Sequence, residues 1–199
     1  MQNVLVGPDG GPDDRERIVS ALDSVLASHE ASLRDPLYLP FLYGGDSDPR
    51  ALATFHNLAA SHGRDHLISA VCEGITFSHR RHLDKLVEKG FPIGPIVVTG
   101  GAARSQPWMR MLATTLGKPV ATVETTETGT LGAAITGAVG VGIFADYPAA
   151  ALAMVGRRHE ILGDLAGISM ASQRYEMFNR LVETLTPLWH SFPNKTFSD

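Results

Sequence analysis

The 199-residue chain carries a single cysteine, Cys72. One thiol excludes an internal disulfide framework and suits a reducing cytoplasm. It falls in an apolar helical pattern, which reads as a buried, inert thiol rather than a nucleophile. Long apolar runs are also missing. None approaches ~18 residues, so no transmembrane helix is expected. The opening Met1-Gln2-Asn3-Val4-Leu5-Val6-Gly7 has neither a basic region nor an apolar core, and does not read as a signal peptide. Charge of one sign is absent: 17 basic and 21 acidic side chains leave a formal charge of −4. That balance gives no electrostatic reason to expect nucleic acid or an anionic membrane as a partner.

Several motifs are lacking too. There is no full Gly-x-Gly-x-x-Gly fingerprint and no Gly-Lys-Ser/Thr of a P-loop. His62 and His66 stand four apart, and His79 and His82 three apart, but Gly63 occupies the place where a zincin needs Glu. No third ligand follows, so these histidines read as solvated or hydrogen-bonded surface groups and no metal site is expected. No Ser-His-Asp arrangement emerges from the spacing. With 44% hydrophobic and 19% charged residues, the composition is that of an ordinary globular protein.

What is present centres on Pro95 to Leu116. Ile96-Val97-Val98-Thr99 is apolar and β-branched, which predicts a buried strand. Gly100-Gly101 follow at once; glycines there permit φ > 0 and close approach of a ligand to the backbone. Ser105 is a candidate N-cap, and Pro107 fits a first helical turn. Trp108, Met111, Leu112 and Leu116 recur at helical spacing, and Gly117 ends the run. A strand, glycine turn and helix can hold a nucleotide or another anion at the helix start. The same unit also occurs in α/β proteins with no ligand there.

Around this unit the chain reads as follows. Gln2 to Val6 is a strand or a helix tail, and Gly7 to Asp14 a loop. Asp13 with Glu16 resembles a capping box, opening a helix from about Asp14 to Ala31 whose face carries Ile18, Leu22, Val25, Leu26 and Leu33. Leu37 to Gly45 reads as an extended buried loop, since Pro40 argues against a central strand. Asp48-Pro49 is expected to cap a short helical turn through Phe55 and Leu58. A long helix spans Gly63 to Lys89, with Leu67, Val71, Ile75, Leu83, Leu86 and Val87 on one side. Gly74 inside it marks close contact with a neighbouring element. Pro119 to Val123 is a second strand. Gly129 to Val141, rich in glycine and alanine, reads as a buried helix packed on a sheet. Its start would lie beside the glycine turn if the two strands are parallel neighbours. Pro148 to Val155 reads as helical, Gly156 to Gly167 as a polar connection, and Ser172 to Trp189 as a final amphipathic helix.

Four segments, in order, resemble the FGGY carbohydrate kinases. They are Leu39-Pro40-Phe41-Leu42-Tyr43-Gly44; the set Phe55, Leu58, His66-Leu67, Ala70 and Glu73; Gly100-Gly101-Ala102-Ala103-Arg104-Ser105 with Trp108; and Glu127 with Leu131-Gly132-Ala133-Ala134. The second departs from the family signature at Asn57, where glycine is usual, and at Cys72. The run from Ala70 to His79 looks most like L-xylulose and related pentulose kinases. The resemblance implies an α/β fold: a partial ribonuclease H-like domain of the actin and hexokinase type, helix-rich with a small, mainly parallel sheet. It places residues 37–192 in the carboxy-terminal nucleotide-binding domain, with 1–36 as a lead-in loop and helix and 193–199 as a loose tail.

The resemblance further implies ATP as cofactor, with Mg2+ carried by the nucleotide and no protein ligand to the metal. The expected contacts are Gly100, Gly101, Ala102, Arg104 and Ser105. Arg104 either flanks the site or is simply solvated, and Glu127 is expected to brace the helix at Gly129. No catalytic residue is identified, because the family's catalytic Asp and most sugar contacts belong to a first domain outside this stretch. The implied function is the ATP-binding portion of a cytoplasmic pentulose kinase, inactive alone. The alternatives are a module that works only by oligomerising or by pairing with a separate amino-terminal half, and a scaffold with no ligand.

Overall fold

The computed structural model describes residues 12–45, 48–125, 127–156 and 158–192. The strand or helix expected at 2–6 and the tail from 193 lie outside them. The elements run α1 (Pro12–Ser28), β1 (Leu37–Leu39), β2 (Thr54–His56), α2 (Arg64–Glu88), β3 (Ile96–Val98), a 3₁₀ turn (Gly101–Arg104), α3 (Gln106–Leu116), β4 (Val120–Val123), α4 (Thr128–Gly140), α5 (Tyr147–Met154), β5 (Arg158–Ile161) and α6 (Ile168–Ser191).

Two hydrophobic clusters organise these elements. One joins Leu37, Leu39 and Phe41 to Phe77 of α2 and to Tyr175, Phe178, Leu181, Val182 and Trp189 of α6. The apolar side expected for the last helix is therefore the side that is buried. The other cluster packs Met109, Leu112 and Ala113 of α3 against Val120 and Ile161, with Ile96 and Val98 at its margin.

The sheet beneath α3 has the order β3-β4-β5. β3 and β4 run parallel, with Ile96 opposite Val120, while β5 runs antiparallel to β4, with Ile161 opposite Val120. The sheet is thus mixed, with one pair of each kind. Its third strand lies inside the stretch that reads as a polar connection. Arg158, His159 and Glu160 are exposed, and only Ile161 turns inward. A charged edge of this kind resists pairing with another chain, and it hides the strand from a hydrophobicity pattern.

Two local corrections have clear physical causes. Leu37–Leu39 is a strand that stops at Pro40 and, among the described residues, pairs only with β2. Proline is compatible with the end of an edge strand. The helical turn expected through Phe55 is β2 instead, with Phe55 opposite Tyr38 and their ring centroids 4.6 Å apart. Asn57 then turns the chain with φ of 62°. Asparagine tolerates this left-handed backbone better than most residues, which accounts for it at a position where the kinase signature has glycine. Its side-chain amide donates to Arg34 O at 2.8 Å.

α2 buries a different face from the one its leucines suggest. Ser69, Ala70, Cys72, Glu73, Gly74, Thr76 and Phe77 are buried, whereas Leu86 and Val87 are exposed. The helix lies between β1 and α3, so small residues take the crowded side. A Cβ added at Gly74 would stand 2.1 Å from Tyr38 O, so the close contact expected there is real. α4 departs furthest from expectation. None of its residues is buried, and a Cβ added at Gly129, Gly132, Gly137 or Gly140 would meet nothing within 4 Å. Among the described residues it packs chiefly on α5, not on the sheet.

Candidate functional site: the turn between β3 and α3

β3 ends at Val98, and the chain turns through Gly100 at φ 87°, ψ −170°. That region is essentially restricted to glycine. Gly101 has no such requirement, so the conformational demand expected of the pair falls on Gly100 alone. Ala103 N donates to Gly100 O, and Ser105 N to Ala102 O, each at 3.1 Å, which closes the 3₁₀ turn. A Cβ added at Gly100 or Gly101 would meet nothing within 4 Å. The outer surface of the turn is therefore open backbone, able to receive a flat ligand. The loop after β4 leaves the sheet at the same end, because β3 and β4 are parallel. Carboxyl ends of parallel strands are where α/β proteins place ligands.

The five sequence-predicted contacts fall in two groups. Gly100, Gly101, Ala102 and Arg104 line the turn, with Gly101 and Arg104 exposed and Ala102 half-buried. Ser105 is 3% exposed. Its Oγ accepts from Trp108 N at 3.2 Å and donates to Asp23 Oδ1 of α1 at 2.5 Å. It is the N-cap of α3, as its residue type suggests. Pro107 has no N–H and Trp108's is taken, so the first turn of α3 offers little to an anion. Glu127 is exposed, and its side chain makes no cap hydrogen bond to α4. The brace comes instead from its backbone carbonyl, which accepts from Leu131 N at 3.0 Å.

α3 is also held from the side. The Trp108 indole N–H donates to Cys72 O at 3.2 Å and Thr76 Oγ1 at 3.1 Å, both on α2. Cys72 is fully buried, and that burial, with the Asp23 carboxylate adding to it, pushes its thiol up to about 12. It is unreactive, as expected. His62 and His66 use Nδ1 to accept backbone N–H groups from Ala59 at 3.0 Å and Gly63 at 3.2 Å. No group of three His, Cys, Asp or Glu among the described residues is placed to hold a metal ion.

Residues that spacing did not single out matter most for the frame. Arg174 is 1% exposed. It donates to Glu73 from Nε at 2.7 Å and from Nη2 at 2.5 Å. It also donates to Ser32 O, Asp35 O and Pro36 O, so all five of its donors are used. Burial pushes the Glu73 carboxyl up, and the Arg174 fork opposes that push. Glu73, a position of the kinase signature, is thus the anchor of the segment entering β1. Asp23 carried no signal of this kind, since it stands beside the apolar face of α1 rather than on it.

The family model for the FGGY family of carbohydrate kinases, C-terminal domain, matches residues 15–141. The chain belongs to the FGGY family of carbohydrate kinases. It is 31% identical over 164 residues to the L-xylulose/3-keto-L-gulonate kinase of Escherichia coli (strain K12), covering 82% of this chain and 33% of that protein. To a probable L-xylulose kinase of Pasteurella multocida (strain Pm70) it is 38% identical over 122 residues, covering 61% of this chain and 25% of that one. The solved structure of the xylulose kinase from Rhodospirillum rubrum superposes with a TM-score of 0.77 at 29% identity, over 94% of this chain and 37% of that one. The fold is that of the family's actin and hexokinase-like ATPases, helix-rich with a small mixed sheet. The chain spans between 25% and 37% of the length of these relatives. No helix among the described residues is long and apolar enough to cross a membrane.

Proposed function

We propose that this chain is the nucleotide-binding wall of a cytoplasmic pentulose kinase. The single observation that carries this reading is the open backbone of Gly100 and Gly101 at the carboxyl end of a parallel strand pair, in an FGGY kinase chain. Gly100, Gly101, Ala102 and Arg104 would face ATP, and Ser105 would hold the turn from the helix side. ATP would supply the γ-phosphoryl group for transfer to a hydroxyl of a small sugar. Mg2+ would arrive with the nucleotide. The L-xylulose kinases among the relatives support a xylulose-like acceptor. Phosphoryl transfer also needs a base and cationic neutralisation, and among the described residues none is assigned the role of base. Those parts would come from residues outside this chain.

The test is an ADP titration followed by amide NMR. The largest shifts are expected at Gly100 to Ser105. Shifts confined to any other segment would place the nucleotide elsewhere.

A second reading is favoured by α4. A glycine- and alanine-rich helix with no buried residue, beside exposed Val141, Ile143 and Leu152, fits a surface that another polypeptide covers. In that reading the chain works by pairing with an amino-terminal half or by oligomerising.

A further inference from the structure

We infer that Asp23 is a positioning residue for the nucleotide turn, acting through Ser105. The inference rests on the nucleotide reading of Gly100 to Arg104. Ser105 Oγ must do two things at once: accept from Trp108 N and donate its own hydrogen. An ionised carboxylate only accepts. Asp23 Oδ1, 2.5 Å away, therefore fixes the direction of the Ser105 hydrogen and leaves a lone pair for Trp108. The constraint passes into the turn through backbone bonds, from Ser105 N to Ala102 O and from Ala103 N to Gly100 O. A Cβ on either glycine would find open space, so no packing locks the outer side. The inner side is held by Asp23 from α1, by the Trp108 indole contact with α2 and by Ala102 packed on the cluster beneath α3. α1 lies far upstream in sequence, yet it sets the shape of the ligand-facing backbone.

The test uses the whole chain and ADP as probe. Asp23→Leu removes the acceptor while keeping the branching at Cγ, Asp23→Asn keeps a carbonyl acceptor at similar volume, and Ser105→Ala removes the link from the other side. Asp23→Leu should weaken ADP affinity about tenfold, the scale of one charge-assisted hydrogen bond. Asp23→Asn should recover most of it. The double variant Asp23→Leu/Ser105→Ala should bind no more weakly than Ser105→Ala, since both changes cut one link. Amide exchange at Ala103 and Ser105, read without nucleotide, should quicken in Asp23→Leu. Should that variant not fold, Ser105→Ala must show the same loss of affinity and quickened exchange, and wild-type behaviour in it overturns the inference. Quickened exchange with unchanged affinity overturns it as well, leaving Asp23 a structural brace. If wild type itself binds no ADP while exchange quickens, the nucleotide reading fails and the bracing of the turn by Asp23 stands.

Discussion

Single residues in this chain are constrained by neighbours whose identity the local sequence does not give. Gly74 is the sharpest case, because the obstacle is backbone: Tyr38 O would stand 2.1 Å from any Cβ. Gly74→Ala must push β1 away from α2, and should lower the stability measured by urea unfolding by about 2 kcal/mol or more, despite alanine's better helix propensity. Cys72 gives a pH dependence. Its thiol is raised from an ordinary value of 9.0 to about 12 in the fold. The unfolded chain therefore loses this proton first as pH rises. The stabilisation is fully present below pH 9.0 and is lost on the way to about 12, at about 1.4 kcal/mol per pH unit. Urea midpoints recorded across that range should fall with pH, and Cys72→Ala should flatten the slope. Tyr175, pushed up to about 12 by burial and by its hydrogen bond to Asp84, steepens the fall at the upper end in both proteins.

At the scale of elements, long helices and strands flanked by strong punctuation were legible. Ser105 as a cap, α3 ending at Gly117 and β4 follow the expected pattern, because each couples a periodic apolar run to a local stop signal; β3 forms where expected but is not the buried strand its apolar run predicts, since none of its residues is buried and Val97 is exposed. β2 and β5 were not legible, since Thr54–His56 and Arg158–Ile161 are too short and too polar to show a period. Only a partner strand makes them strands. α4 misled for another reason: small apolar residues imply a close neighbour, and nothing in the sequence says whether that neighbour lies in the same chain. The candidate site was legible as a strand, a glycine pair and a helix. The tie from Asp23 to Ser105 spans too long a separation to be read from spacing. β3 itself makes a prediction. Among the described residues it pairs only with β4, and its middle residue Val97 is exposed. An apolar edge invites strand pairing between chains. Val97→Lys should reduce self-association in light scattering coupled to size exclusion, while changing unfolding stability by less than about 1 kcal/mol.

For the whole molecule, the clusters around α3 and α6 make a coherent frame, yet several large apolar side chains stay uncovered. Leu152 and Leu165 are each more than four-fifths exposed. The chain covers about a third of the Escherichia coli relative's length, and in the proposed reading it supplies the nucleotide wall while the base comes from elsewhere. Purified alone, it should show no L-xylulose-dependent ATP turnover above background in a coupled assay, and ordinary kinase turnover would show that the chain is catalytically self-sufficient.

The central claim is that nucleotide lies on the open backbone after β3, and calorimetry with ADP on wild type and Gly101→Val tests it most directly. Gly101 sits in open space without a positive φ, so valine should fold there while covering the surface of the turn. Gly100→Ala serves as the contrast, since its backbone region should cost about 1–3 kcal/mol in stability. The account predicts binding by wild type at millimolar ADP or below, and its loss in a folded Gly101→Val. No binding by wild type, or equal binding by both proteins, would contradict it.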